Sequence, residues 1–286
     1  MNTIRYQEKS AAREKTALDG WISFPMPRVY LPLLGISVSA VGTEDVVEAI
    51  SKNTGQRLLI CSHNMHSLYL RQSVPGFSRI ENFASLILAD GFPVWLAARL
   101  RLCGPAGDSP ASQIGGLRRR IERIGSTDWL LADGFRQQSL RIAVVGARSA
   151  SNALAVKALE RACPSSCVRG WNGFEDLASL RATNYDALQG FRPDIVLFGL
   201  GMPTQESLVV NDYEKLPKCT IALVGGAIDQ ISGAQTLCPR WLARLGVEWL
   251  WRLADDPRRL SRRYLLEPLL LAVLFVSGKY SRSGTL

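Results

Sequence analysis

The chain has 286 residues, 47% of them hydrophobic, with 34 Lys and Arg against 25 Asp and Glu and a formal net charge of +9. That length holds one large domain or two small ones, and the apolar fraction predicts a sizeable buried core. The charge implies anionic partners (nucleic acid, nucleotide diphosphates or acidic lipid), but arginine far outnumbers lysine and the aromatic residues do not interleave with lysines, which argues against a single-strand nucleic-acid binder.

Residues 1–28 are polar and aperiodic and read as a mobile tail, too polar and charged to be a secretory signal. From Val29 onward short apolar runs alternate with amphipathic ones. Thr43 is expected to cap a helix through Ser51, with Glu44 and Asp45 suiting the helix dipole. Strands are expected over Arg57–Cys61 and Ser85–Ala89, the second ending at Asp90-Gly91. A helix is expected over Pro93–Leu102, with its proline near the first turn. Residues 101–121, rich in Gly, Pro and Ser and then basic at Arg118–Arg120, read as an inserted loop.

Further strands are expected over Leu140–Val145, Asp194–Phe198 and Thr220–Val224, and a helix over Ser149–Cys163. Glycines follow each of these strands, at Gly146, at Gly199-Leu200-Gly201 and at Gly225-Gly226. The middle turn leads through Pro203 into a helix that opens with Gln205 and Glu206. Strands alternating with helices predict an α/β fold, Rossmann-like, with a mostly parallel sheet and helices on both faces.

Near Ala254 the pattern changes. Asp256 can cap a new helix with Pro257 at its first position, and Arg258 and Arg262 then share a face, as do Arg259 and Arg263. The apolar stretch Leu265–Val276 follows, broken by Glu267-Pro268. Its longest uninterrupted run, Leu269–Val276, falls far short of the roughly 20 residues that cross a bilayer. A basic helix leading into a short apolar segment has the composition of an interfacial element, so a soluble or peripheral protein is expected. The domain reading is therefore a tail over 1–28, an α/β domain over 29–253 and a basic appendage over 254–286.

The end of an α/β strand is where such folds place reacting groups. Asp90 occupies one such position; it suits a general base, and it equally suits a helix cap. Ser62 and Asn64 follow another strand and can bond a sugar or phosphate, though turns favour both residue types anyway. His63 and His66 lack an evident third ligand for a metal. Arg123 can clamp a phosphate or be one more solvated arginine. Gln205 and Glu206 can bond sugar hydroxyls at a helix start. Arg252, Arg258, Arg259, Arg262 and Arg263 can meet lipid, a diphosphate or both. No dinucleotide fingerprint, Walker motif or Gly-x-Ser-x-Gly elbow is present. No pair among the six cysteines has zinc-finger spacing, and free buried thiols in a reducing compartment are expected.

In order, the segments SHNMHSLYL (62–70), LADGFPVWLAARL (88–100), RIGSTD (123–128), FGLGMPTQE (198–206), VGGAIDQISG (224–233) and EWLWRLADDPRRLSRRY (248–264) resemble the WecG/TagA/CpsF family of bacterial glycosyltransferases. The resemblance implies inverting transfer from a UDP-sugar to a saccharide on undecaprenyl diphosphate, in surface polysaccharide biosynthesis at the inner face of the cytoplasmic membrane, with no cofactor and no metal. The donor sugar it implies is N-acetylmannosamine, its uronate or glucuronate. By the same resemblance Asp90 is the catalytic base. Ser62, standing where the family usually has Thr, lines the substrate pocket with Asn64, Arg123 and Gln205. Arg252, Arg259 and Arg262 belong to an appendage that closes over the site at the membrane. The partners implied are the donor, the lipid-linked acceptor and an anionic membrane surface, not nucleic acid; a homo-oligomer is left open. The alternative reading is a non-catalytic nucleotide-sugar or lipid-binding subunit of a polysaccharide assembly complex.

Overall fold

A computed structural model describes residues 26–103, 121–239, 242 and 245–282. Most of the expected tail and of the expected insertion lies outside these residues. Arg28, counted above with the tail, opens a strand. This strand, β1 (Arg28–Leu31), pairs antiparallel with β2 (Ile36–Ser39) in a two-stranded sheet of its own.

The main sheet has six strands, all parallel: β3 (Leu58–His63), β4 (Leu86–Ala89), β5 (Arg141–Gly146), β6 (Cys167–Trp171), β7 (Ile195–Gly199) and β8 (Thr220–Leu223), in the order β4-β3-β8-β7-β5-β6. Four of the central strands read as near-continuous apolar runs because helices cover both faces. Alternate residues divide between two cores. Leu58, Ile60, Leu88, Val144, Leu197 and Ala222 face one core, closed by the helices Thr43–Ser51 and Ser149–Ala162. Leu59, Cys61, Ile87, Val145, Phe198 and Ile221 face the other, closed by Glu175–Ala182, Asp186–Phe191 and Thr204–Asp212.

A third apolar cluster joins the β1–β2 hairpin to the C-terminus. Val29, Leu31, Ile36 and Val38 pack with Leu68, Val94, Ala98 and Leu271. Leu271 belongs to the last helix, Glu267–Val276. Beyond it, the Tyr280 hydroxyl donates to the Leu34 carbonyl at 2.8 Å. Gly35, at the hairpin turn, has φ +62, and a Cβ there would run into the backbone of Arg282. Only glycine accepts both constraints.

Several expected boundaries move. Thr43 is the first helical residue rather than the cap. The cap is Gly42, whose N–H donates to Asp45 Oδ2 at 2.9 Å, while the Thr43 N–H donates to Glu122 at 2.8 Å. Strand β3 runs on to His63, so Ser62 is a strand residue, not a turn residue. Asp256 does cap the next helix, accepting from the Arg259 N–H at 3.2 Å. Of the five cysteines described, Cys61, Cys163 and Cys219 are buried free thiols, as expected, but Cys167 is exposed on edge strand β6. Among the described residues no helix is long and apolar enough to cross a membrane.

Candidate active site

The C-terminal ends of all six strands converge on one cavity of about 530 Å³. It is lined by Ser62 near the end of β3 and Asn64 just past it, Asp90 after β4, Ala147 and Arg148 after β5, Gly173 and Phe174 after β6, Gly199 at the end of β7 with Leu200 and Gly201 beyond it, and Val224–Gly226 after β8. Its volume lies within the range of small-molecule sites. Ala147 takes the left-handed conformation (φ 58), as do Gly201 (φ 76) and Gly225 (φ 51), so three strand exits turn sharply at the cavity wall. The exposed ring of Phe174 stands at the rim.

Asp90 is held from two sides. Its N–H donates to the His63 carbonyl at 3.1 Å. Its carboxylate accepts from Asn64 Nδ2, also at 3.1 Å. Asn64 is the N-cap of the helix Met65–Ser73, and its Oδ1 accepts from the Ser67 N–H at 3.1 Å. Because the cap uses the amide oxygen, the amide nitrogen is left facing Asp90. Asp90 does not cap the helix that follows it; it faces the cavity.

A second cavity of about 360 Å³ lies on the other side of Asp90, enclosed by Met65, His66, Phe92 and Pro93 and by Trp249, Tyr264 and Pro268 from the C-terminal segment. Asn64, Asp90, Arg252, Arg263 and Tyr264 line both cavities. One carboxylate therefore stands at a wall common to a polar chamber and an aromatic one.

The C-terminal segment reaches this wall through ion pairs. Glu248, in the helix Glu248–Asp255, pairs with Arg123 at 2.8 Å and with Arg252. Burial would raise the Glu248 pKa, but Arg252 and Arg123 outweigh it and hold it below the usual carboxylate value. Burial would likewise lower the Arg252 pKa, but Glu248, followed by Tyr264 and Asp90, drives it up. Both groups are therefore charged. Arg123 borders the second cavity, not the first, and shares the Glu248 carboxylate with Arg252. Arg259 lines the first cavity while paired to Asp256 at 2.7 Å. Arg262 lines neither cavity and is exposed; Arg263 takes its place.

Gln205 lines the first cavity though nearly buried, and both ends of its side-chain amide are oriented. Its Oε1 accepts from the Gly225 N–H at 3.2 Å and its Nε2 donates to Glu206 Oε1 at 2.9 Å. Glu206 does not line the cavity. It is 3% exposed, and its second oxygen has no hydrogen-bond partner among the described residues. Burial raises its pKa to about 7, against a smaller lowering by the bond from Gln205.

The two histidines separate. His63 is buried, its ring nitrogen 3.1 Å from the Ser67 hydroxyl, and burial with the nearby Arg71 cation pushes its pKa down to about 3. It is a neutral, structural residue. His66 borders the second cavity and bonds Glu267 of the last helix at 2.6 Å. Among the described residues no three His, Cys, Asp or Glu side chains gather in metal-holding geometry.

Sequence reasoning missed Arg148, Phe174 and Tyr264 as lining residues. The only signal for the first two was their position one to three residues past a strand, and β6 itself was not recognised.

The family described as glycosyl transferase WecG/TagA/CpsF matches residues 31–284. Among curated proteins, the N-acetylglucosaminyldiphosphoundecaprenol N-acetyl-beta-D-mannosaminyltransferase of Staphylococcus aureus strain MRSA252 is 24% identical over 219 residues, 77% of this chain and 80% of that protein. Proteins of the same name from the NCTC 8325 / PS 47 and COL strains match with the same identity and coverage.

Proposed function

Since the chain belongs to the WecG/TagA/CpsF family of glycosyl transferases, we propose that it transfers a sugar, with inversion, from a UDP-sugar to a saccharide carried on undecaprenyl diphosphate. The observation that carries this reading is the position of Asp90 on the wall shared by the two cavities. The polar cavity at the strand ends suits the nucleotide sugar. The aromatic cavity beneath the C-terminal segment suits the acceptor, whose sugar hydroxyl would then lie against the same carboxylate.

In this reaction the acceptor oxygen attacks the anomeric carbon from the face opposite the diphosphate. The new C–O bond forms as the bond to the phosphate oxygen breaks, and UDP leaves with the electron pair. Asp90 takes the hydroxyl proton as the bond forms. Asn64 aims the carboxylate. Negative charge grows on the leaving diphosphate, and Arg252 and Arg259 on the cavity wall supply cations to stabilise it. Ser62 and Gln205 offer hydrogen bonds to the donor. Arg123 acts through Glu248, fixing the helix that carries Arg252. Glu206 acts through Gln205.

The relatives' name supports an acceptor on a polyprenyl diphosphate and an N-acetylmannosamine donor; the uronate and glucuronate remain donors to test beside it. The exposed apolar side chains of the last helix support peripheral attachment at the inner face of the membrane, in surface polysaccharide assembly. Within this reading residues 29–253 form the catalytic unit and 254–286 the membrane-facing appendage.

Purified protein with UDP-N-acetylmannosamine and a short-chain polyprenyl-diphosphate saccharide is expected to release UDP. Asp90→Asn keeps the shape and the bond from Asn64 but not the base, and should lower kcat by about 100-fold or more. Turnover within threefold of wild type would remove Asp90 from the base role.

A further inference from the structure

His66 is a polar group on the wall of the second cavity that takes no part in the transfer chemistry. It lies two residues after Asn64, the residue that aims Asp90. Its ring is partly buried, and Nδ1 is 2.6 Å from Glu267 Oε2 of the last helix, a residue that is itself 5% exposed. Burial, and after it the nearby Arg263 cation, lower the imidazole pKa against the opposing effect of Glu267, so the ring is neutral near pH 7. A neutral imidazole has one N–H, and the Glu267 oxygen is the acceptor that fixes it on Nδ1. Nε2 then keeps its lone pair. Among the described residues it has no hydrogen-bond partner.

The surroundings set that lone pair apart. Met65, Phe92, Pro93, Trp249 and Pro268 give the cavity its apolar walls. The side-chain nitrogens of Asn64, Arg123, Arg252 and Arg263 on the same walls are donors. Of the carboxylates there, Glu248 is engaged by Arg123 and Arg252, and Asp90 serves the attacking hydroxyl. An apolar pocket orients its ligand through a few placed polar groups. A partly buried acceptor with no partner favours a ligand that brings an O–H to it. A sugar ring meets both demands, with C–H faces for the apolar walls and hydroxyls at its edge.

We propose that His66 reads the acceptor saccharide, its Nε2 accepting a hydrogen bond from a hydroxyl other than the one that attacks, with Glu267 as the positioning residue that holds the ring. The proposal rests on the transferase reading above. It gives the last helix a direct part in acceptor recognition. Leu271 packs that helix against the hairpin, and Glu267, one turn earlier, orients the imidazole.

The test uses the full chain with a short-chain polyprenyl-diphosphate saccharide and analogues that each lack one non-reacting hydroxyl. In His66→Asn the amide nitrogen can still bond Glu267, but nothing stands at the Nε2 position. In His66→Gln the amide oxygen can reach that position while the tie to Glu267 is lost. His66→Asn is expected to raise the acceptor KM about tenfold, with kcat and the KM for the UDP-sugar within about twofold, and His66→Gln to raise it less. One deoxy analogue should cost wild type about tenfold in kcat/KM and cost His66→Asn nothing further, the coupling of a direct contact. Glu267→Ala should raise the acceptor KM alone, and Glu267→Gln, whose amide oxygen can still accept from Nδ1, should restore it; equal values for the two would remove Glu267 from its positioning role. Thermal melts check folding. If His66→Asn does not fold, the wild-type imidazole carries the test: the chain has two histidines, and the His66 Nε2 resonance in 15N NMR should move upfield with the acceptor but not with that deoxy analogue. An acceptor KM within twofold of wild type in His66→Asn, a loss confined to kcat, equal analogue penalties in both proteins or an unmoved resonance would overturn the assignment. Any of these beside a wild-type protein that turns over normally defeats this inference alone. A wild-type protein that releases no UDP defeats the transferase reading and this inference with it.

Discussion

Glu206 shows how far a residue's role can depart from its position in a motif. At a helix start it looks like a ligand for sugar hydroxyls; in the fold it lies under Gln205 and fixes which end of that amide meets Gly225. Its pKa is raised to about 7 by burial. The folded state therefore holds a proton that the unfolded chain has released above its ordinary carboxylate value. Stability from this group is complete below that value and is lost as pH rises through about 7. Glu206→Gln removes the titration while keeping an oxygen for Gln205. The variant should melt at a higher temperature than wild type at pH 8 and at nearly the same temperature near pH 4, and its activity should stay within a few-fold. Equal melting differences at both pH values would show that folding does not raise the Glu206 pKa.

At the scale of elements, the hairpin β1–β2 and the last helix depend on each other through Gly35. A methyl group at that turn meets the Arg282 backbone, and its φ of +62 disfavours any side chain. Gly35→Ala is expected to cost about 1–3 kcal/mol in urea unfolding. Most of the main sheet was legible in the sequence, because parallel strands buried on both faces appear as short apolar runs ending in glycine. Strand β6 was not legible: CVRGW sits at an edge and carries polar residues. The helix Met65–Ser73 was hidden by its mixed composition, although Asn64 is a good cap. Asp90, Asn64 and Arg252 could be picked out from their places at strand ends and in the basic tail. Spacing placed Arg263 on the same helix face as Arg259, and both line the first cavity, whereas Arg262 is exposed.

For the molecule as a whole, the surface of the last helix is divided. Leu271 is buried against the hairpin, whereas Leu269, Val273 and Val276 are 64%, 62% and 90% exposed on the opposite side. Spaced four and then three residues apart, they form one apolar stripe. A double substitution, Leu269→Asp with Val273→Asp, touches no buried contact and should shift the melting temperature little. In a sedimentation assay with anionic phospholipid vesicles it is expected to lower bound protein several-fold. Retained binding would mean that another surface meets the lipid.

The last helix is often easiest to imagine as a strap laid over a finished domain. Here it behaves more like a seam. Leu271 fills a gap among Val29, Ile36 and Val38, Tyr280 ties down the hairpin at Leu34, and Arg71 donates to the carbonyls of both Gly35 and Arg282. Cutting the chain before this helix would therefore open a dry interior that holds the first and last described segments together. An inactive truncated protein would report a damaged scaffold as readily as a lost grip on lipid, so the two must be separated by surface substitutions that leave the stitching whole.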